Sequence, residues 1–300
     1  MSSKATVPPD DPAATYASLR PRLFGIAYRM LGSVADAEDV LQDAWLRWQA
    51  TNHAEVLDAA AFLVTITTRL ALNVVQSARA RRETYVGQWL PEPVDTAADP
   101  ALGAERGEAL EVAVLLLEKL PPAERAAYVL SQAFDYSHAQ IAEILSVSEV
   151  NARQLASRAR KHLADERCEP VPVAEQRRLL GAFLTAARAN DLEALKSLFA
   201  SDVVSYSDGG GAVRAAGKPI VGADRVADFF VAVGSWFWAD AAVEPVEVNG
   251  QGAFLVEHMG APYGVLTIGA SRDGIDRIFW VMNPAKLASV LAGRATGAVR

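Results

Sequence analysis

Tyr136-Ser137-His138-Ala139-Gln140-Ile141-Ala142-Glu143-Ile144-Leu145, then Ser146-Val147-Ser148, then a run from Glu149 to Ala164 is the stretch on which the reading of this chain turns. Ser137 and Gln140 stand three apart at the head of an apolar-periodic segment. That is the pattern of a reciprocal helix cap, in which each side chain takes a backbone N–H at the other's position. A short helix to Leu145, a brief turn and a longer second helix make a helix-turn-helix. On the second helix Ala152, Leu155, Ala159 and Leu163 form an inner stripe. Asn151, Gln154, Ser157, Arg158 and Lys161 form the outer one, with Arg153 and Arg160 beside it. Amides and guanidinium groups suit base edges and phosphates. From Arg153 to His162 there is no acid, in a chain of net charge −7. The same pattern also describes a helical hairpin with a solvated basic face, so it does not decide function alone.

Upstream, the segment from about Tyr16 to Arg82 reads as helical, with apolar residues at three- and four-residue spacing. Leu31-Gly32-Ser33 is a turn, and Ser33 can cap the next helix, with Asp36 three residues on. That helix runs to about Trp48. Ala37, Val40, Leu41, Ala44 and Trp48 share one face, and Asp39, Gln42, Asp43 and Arg47 fall largely on the others. A polar loop, Gln49 to Asp58, leads to a further helix from about Ala60 to Arg82. Between Arg69 and Arg82 that helix has four arginines and no acid.

From Gly87 to Gly103 prolines and acids mark a linker. Trp89 and Leu90 are unusual there and suggest either a local tether or a segment that docks on another domain. Helices resume from about Ala104 to Leu120, and Pro121-Pro122 opens another to about Phe134. Past Cys168 to Val173 the pattern changes. Two helices, about Ala174–Ala189 and Leu192–Phe199, precede strand-like segments at Val203–Tyr206, Val213–Ala216, Ala242–Val248, Ala253–His258, Tyr263–Gly269 and Gly274–Met282. A helix at about Ala223–Val233 interrupts them, and Asn249-Gly250 is a hairpin signal. Helices followed by a curved antiparallel sheet point to an α+β domain.

The expected architecture is therefore multidomain: a disordered tail at 1–11, all-α domains at 12–86 and 104–167, linkers at 87–103 and 168–173, and an α+β domain at 174–300. Hydrophobic residues are 51% and charged residues 22%, a globular balance. No unbroken apolar run approaches the ~18 residues that cross a bilayer, and no signal-peptide pattern opens the chain. A single cysteine allows no disulfide within the chain and fits a reducing, cytoplasmic setting. His53, His138, His162 and His258 lie far apart, so neither a metal nor a cofactor is expected.

Two stretches carry a family resemblance. Leu23-Phe24-Gly25-Ile26-Ala27-Tyr28-Arg29-Met30-Leu31-Gly32, with Asp36-Ala37-Glu38-Asp39-Val40-Leu41-Gln42-Asp43-Ala44-Trp45, resembles region 2 of extracytoplasmic-function (ECF) sigma factors. Leu120-Pro121-Pro122-Ala123-Glu124-Arg125, with the helix-turn-helix, resembles region 4. The resemblance implies a transcription factor that binds core RNA polymerase and directs initiation at promoters. It places Asp39, Gln42, Asp43 and Arg47 on a coiled coil of the largest catalytic polymerase subunit. Asn52, His53, Asn73, Gln76, Arg79, Arg81 and Arg82 would meet the −10 DNA element. Asn151, Arg153, Gln154, Ser157, Arg158 and Lys161 would read the −35 element. An acidic total charge suits a factor that leaves much of the DNA attraction to core polymerase.

Residues 174–300 resemble a SnoaL-like domain of the NTF2-like superfamily, an α+β cone. Trp89-Leu90-Pro91-Glu92-Pro93, Asp208-Gly209-Gly210-Gly211 and Asn283-Pro284-Ala285-Lys286-Leu287 resemble a sigma subgroup with this extension, the ECF41 group. Ala285 stands where that subgroup usually has Asp. The resemblance implies regulation in cis, with Trp89, Leu90, Pro91, Asp208, Gly209, Gly210, Gly211, Asn283, Pro284 and Lys286 between the parts. The glycines equally suit a tight turn at positive φ. Trp236, Phe237, Trp238 and Trp280 either wall a ligand pocket or fill a core. Tyr206, Asp208, Glu257 and His258 show no base poised beside a nucleophile, so no catalysis is expected. Two other readings stand beside this one: a SnoaL-like enzyme or ligand sensor fused to a helix-turn-helix, and a ligand-controlled repressor. Promoter, inducing signal, pocket ligand, oligomeric state and sign of regulation stay open.

Overall fold

The computed structural model describes residues 11–83, 85–94, 117, 119–164 and 171–297, with backbone alone for 78–83, 164 and 292–297. They fall into two compact units: 11–81 with 117 and 119–164, and 82–83 and 85–94 with 171–297.

The first unit is helical. Helix α1 (Pro12–Leu31) starts at Asp11, whose side chain accepts from the Ala13 N–H at 2.8 Å, and ends at Gly32 with φ 67°. Asp11, expected in a disordered tail, is thus a helix cap. Helix α2 (Val34–Gln49) is capped by Ser33 and buries Ala37, Val40, Leu41, Ala44 and Trp48, the stripe read from the sequence. A 3₁₀ turn (His53–Glu55) precedes helix α3 (Ala59–Glu83). Over Ala59–Ser77 the average hydropathy of α3 is high enough to cross a membrane, which a search for unbroken apolar runs misses. Here that apolar content is core: Leu63, Val64, Leu70, Ala71 and Val75 are buried. Helices α4 (Pro122–Ala133), α5 (His138–Leu145) and α6 (Glu149–Ala164) follow. Both bonds of the Ser137–Gln140 capping box are present. The expected helix from Ala104 up to residue 116, and Cys168, lie outside the described residues.

In the second unit α7 (Val173–Ala189) and α8 (Leu192–Leu198) meet at Asn190, in the left-handed region. Next come β1 (Phe199–Asp208), β2 (Ile220–Val221), α9 (Ala223–Phe237), β3 (Ala241–Val248), β4 (Gln251–His258), β5 (Ala261–Ser271), β6 (Gly274–Val281) and α10 (Pro284–Gly297). The sheet order is β2-β1-β6-β5-β4-β3. Two expectations fail. Val213–Ala216 is not a strand: Val213 N–H turns back onto Gly209 C=O at 3.0 Å, and β2 takes the sheet edge beside β1. The sheet is not wholly antiparallel either, because β1 pairs β6 in parallel. β3 to β6 form a meander of neighbouring antiparallel strands, which leaves the free side of β6 for β1.

Candidate functional site

The surfaces of the helical unit lie largely where the sequence places them. On α6 Asn151, Arg153, Gln154, Ser157, Arg158 and Lys161 are exposed, while Ala152, Ala159 and Leu163 are buried. The Arg153 guanidinium is held by Glu149 at 3.0 Å, an exposed i,i+4 pair of little energetic weight. On α2 Asp39, Gln42, Asp43 and Arg47 are all exposed on one side. Leu46, 54% exposed, sits among them at i+3 and i+4 from Asp43 and Gln42. That apolar member of a polar stripe was missed, although helical periodicity alone would place it.

The residues expected at the −10 element divide. Asn73 and Gln76 are exposed on α3. Asn52 is tied into its own turn, accepting from Ala54 N–H at 3.3 Å and donating to Glu55 at 2.7 Å. The His53 ring stands edge-on against Trp48 at 4.3 Å between centroids. Both are therefore parts of the loop's own framework. The side chains of Arg79, Arg81 and Arg82 lie outside the described residues.

In the second unit residues 85–94 form a strap over the α+β domain. Leu90, Pro91, Glu92, Pro93 and Val94 are buried, Leu90 to 1% exposure. At the centre is Asp208, fully buried at the end of β1. Its Oδ1 accepts from Tyr85 O–H at 2.6 Å and Gly210 N–H at 3.0 Å. Its Oδ2 accepts from Leu90 N–H at 3.0 Å and Lys286 Nζ at 2.7 Å. A carboxylate has about four acceptor sites, and each is used here. Lys286 also donates to the Leu90 carbonyl and lies 4.1 Å from the Trp89 ring centroid, a cation–π contact. Asn283 Nδ2 donates to Tyr85 Oη at 2.7 Å, and its Oδ1 accepts from Ala285 N–H at the start of α10.

Gly209 and Gly210 are required by space at this turn. A Cβ on Gly209 would lie 2.1 Å from Val213 O, and one on Gly210 2.4 Å from Asn283 Cγ. Gly210 also has φ 58°, as the tight-turn reading foresees. The strap is fastened further along. Val94 N–H donates to Asn249 Oδ1 at 3.2 Å, Asn249 N–H donates to Val94 C=O at 2.8 Å, and Ser289 Oγ donates to Pro93 C=O at 2.8 Å. Asn249 thus serves the hairpin and the strap together.

Burial, with the hydrogen bond to Asp208 and its negative charge, holds the Tyr85 hydroxyl far above its ordinary pKa; Asn283 opposes this weakly. Tyr85 is therefore a neutral donor to a charged acceptor, the stronger kind of hydrogen bond. Sequence reasoning passed over Tyr85. Its only signal was a second aromatic residue, four before Trp89.

Of Trp236, Phe237, Trp238 and Trp280, three form core. Phe237, Trp238 and Trp280 are buried, with ring centroids 5.0–5.7 Å apart, and Phe230 stacks on Trp280 at 6.1 Å. Trp236 is exposed. His258 stacks on Phe237 at 4.7 Å, and Tyr206 on Phe279 at 5.6 Å. Among the described residues no group of three His, Cys, Asp or Glu could hold a metal.

Comparison with known proteins decides the family. Residues 15–82 match the family described as Sigma-70 region 2, and residues 110–163 match Sigma-70, region 4. ECF RNA polymerase sigma factor SigJ of Mycobacterium tuberculosis is 40% identical over 224 residues, covering 72% of this chain and 71% of SigJ. The chain belongs to the ECF RNA polymerase sigma factors. A probable member of the same family and organism, SigI, is 30% identical over 283 residues, 93% of this chain and 95% of that one. The crystal structure of M. tuberculosis SigJ superimposes with a TM-score of 0.76 and 32% identity, over 92% of this chain and 98% of SigJ. The likeness to this sigma factor therefore extends beyond regions 2 and 4 into the α+β domain. The exposed stripes of α2, α3 and α6 are then surfaces of sigma regions 2 and 4, and the clasp around Asp208 belongs to the extension.

Proposed function

We propose that this sigma factor binds core RNA polymerase through the Asp39–Arg47 stripe of α2, with Leu46 as its apolar centre. It meets the −10 element through Asn73, Gln76 and the basic end of α3, and reads the −35 element through Asn151, Gln154, Ser157, Arg158 and Lys161. The reading has no catalytic step, and its place of action is the cytoplasm, where core polymerase works. The α+β domain acts in cis through the strap. The observation that carries this is the saturated Asp208 carboxylate, which binds Tyr85, Leu90 and Lys286 at one point. The strap follows α3 directly in the chain. Docked, residues 85–94 are taken up on the sheet. Released, they add up to about 35 Å of free chain after α3, at the ~3.3–3.6 Å per residue of an extended segment. Docking thereby sets how far region 4 can travel from region 2, a two-state control.

The test is promoter-specific transcription by purified core polymerase with the full chain and with Asp208→Ala, beside a core-binding assay. The expected result is that both bind core and initiate at different rates, the direction of change giving the sign of regulation. Equal rates, with the strap of Asp208→Ala shown by proteolysis to be released, would exclude control through the clasp. Failure of the wild type to bind core would remove the sigma assignment of the stripes.

A further inference from the structure

Helix α6 opens with a side chain that neither folding nor packing accounts for. Ser148 fixes the start of the helix: its Oγ accepts from Asn151 N–H at 3.2 Å and its C=O from Ala152 N–H at 2.9 Å. Glu149 and Val150 are therefore the first helical residues. Val150 is 63% exposed. A β-branched residue is a weaker helix former than alanine, and left in water it gains little from burial. Among the described side chains of α6 it is the only exposed apolar one. Ala152, Ala156, Ala159 and Leu163 are buried, and Leu155 is half-buried.

Its place on the helix is specific. Val150, Gln154, Ser157, Arg158 and Lys161 stand at i, i+4, i+7, i+8 and i+11, one stripe, and all are exposed. Val150 and the buried Ala159 are about two and a half turns apart, so Val150 lies on the far side of the helix from the core. Asn151 flanks it on one side, and Arg153, held by Glu149, on the other. The stripe thus has one apolar end, on the turn that leads a recognition helix into the major groove. The remainder offers an amide, a hydroxyl and cations to base edges and phosphates.

Of the four bases, only thymine presents a methyl group in the major groove. The two methyl groups of Val150 sit on a side chain with one strongly preferred rotamer in a helix, so they meet such a group with little freedom to lose. Gln154 stands one turn on, ~6 Å along the axis, or about two base-pair steps of ~3.4 Å.

We propose that Val150 is a specificity-determining residue, packing on the 5-methyl group of a thymine in the −35 element beside the base pairs that Asn151 and Gln154 read. The contact carries no charge. It changes which −35 elements are chosen and leaves the salt dependence of binding alone. The proposal rests on the reading above that α6 meets the −35 element.

The test uses the full chain bound to core polymerase. Wild type, Val150→Ala and the Gln154→Ala/Arg158→Ala double variant each select from promoter duplexes randomised over the −35 element. Each thymine of the wild-type element is then replaced singly by uracil, which keeps every hydrogen-bonding group and loses only the methyl. At one thymine, uracil should weaken wild-type binding about three- to fivefold, the worth of one buried methyl. Val150→Ala should bind the thymine and uracil duplexes equally, lose its preference for thymine at that position and keep the wild-type salt dependence. A merely structural role would weaken all sequences alike and lower the melting temperature, whereas Val150→Ala should melt no lower than wild type. Wild type that tolerates uracil throughout, a selected element without thymine, or Val150→Ala that stays as sensitive as wild type overturns the proposal and leaves the −35 reading intact. Wild type that enriches no −35 sequence, or a double variant that enriches the same one with equal affinity, overturns the reading beneath it.

Discussion

Two fastenings in this chain use the same kind of group in opposite surroundings. The clasp buries Asp208 completely and Lys286 to 9% exposure, and surrounds them with hydrogen bonds. The staple between regions 2 and 4 uses Arg69 at the surface and Arg22 half-buried, bonded to helix-end carbonyls. A buried pair is expensive to break, because either partner alone is left as an uncompensated charge. An exposed guanidinium released from a carbonyl is promptly solvated. The clasp thus suits a contact with two distinct states, while the staple suits one that opens at small cost.

The largest effect should come from breaking the clasp at one end. Asp208→Ala leaves Lys286 buried without its partner and should cost about 3–5 kcal/mol, read by denaturant unfolding of the full chain, with early cleavage in the strap. Joining it to Lys286→Met should recover a substantial part of that loss. If the double variant is as unstable as the sum of the singles, the charge pairing is not what the clasp contributes.

Tyr85→Phe removes a donor to Asp208 and the acceptor of Asn283 Nδ2, and should cost about 1.5–3 kcal/mol, the range for a hydrogen bond to a charged group. pH sharpens this point. The folded Tyr85 pKa lies above its ordinary 10.0. Its contribution is therefore complete below pH 10 and is lost as pH rises beyond it, where the unfolded chain ionises first. Stability of the wild type should fall above pH 10 more steeply than that of Tyr85→Phe.

Ser137→Ala removes the capping-box bond to Gln140 N–H and should cost about 1 kcal/mol, read as a lower melting temperature of the helical unit. Arg22→Ala should cost less than about 1 kcal/mol of stability. A cost as large as that of Asp208→Ala would end the contrast between the two fastenings.

Much of the helical half was legible from local chemistry. The Ser137–Gln140 cap, the Ser33 cap and the Ala37–Trp48 stripe depend on residues within one or two turns, and they fold as the sequence indicates. The recognition helix was legible for the same reason, since its inner alanines and outer amides and arginines alternate at helical period. Asn52 and His53 were less so. Whether a loop polar group is spent on its own turn depends on where Glu55 and Trp48 come to rest.

The clasp shows where sequence stopped. The family resemblance grouped Trp89–Pro93, the Asp208–Gly211 turn and Asn283–Lys286, yet nothing in their spacing says how they meet. The parallel pairing of β1 with β6 does so, because it sets Asp208 opposite Val281 and both strands end at the same edge. Had β1 run antiparallel, as the run of strands suggested, the two motifs would lie a strand length apart, ~26 Å for eight residues. The sequence by itself determined the helices and their caps, because those rest on short-range periodicity and hydrogen bonding, and its motifs carried the family resemblance. Only the tertiary structure decided that one buried carboxylate would hold Tyr85, Leu90 and Lys286 together, because strand direction depends on which edge of the sheet is left free.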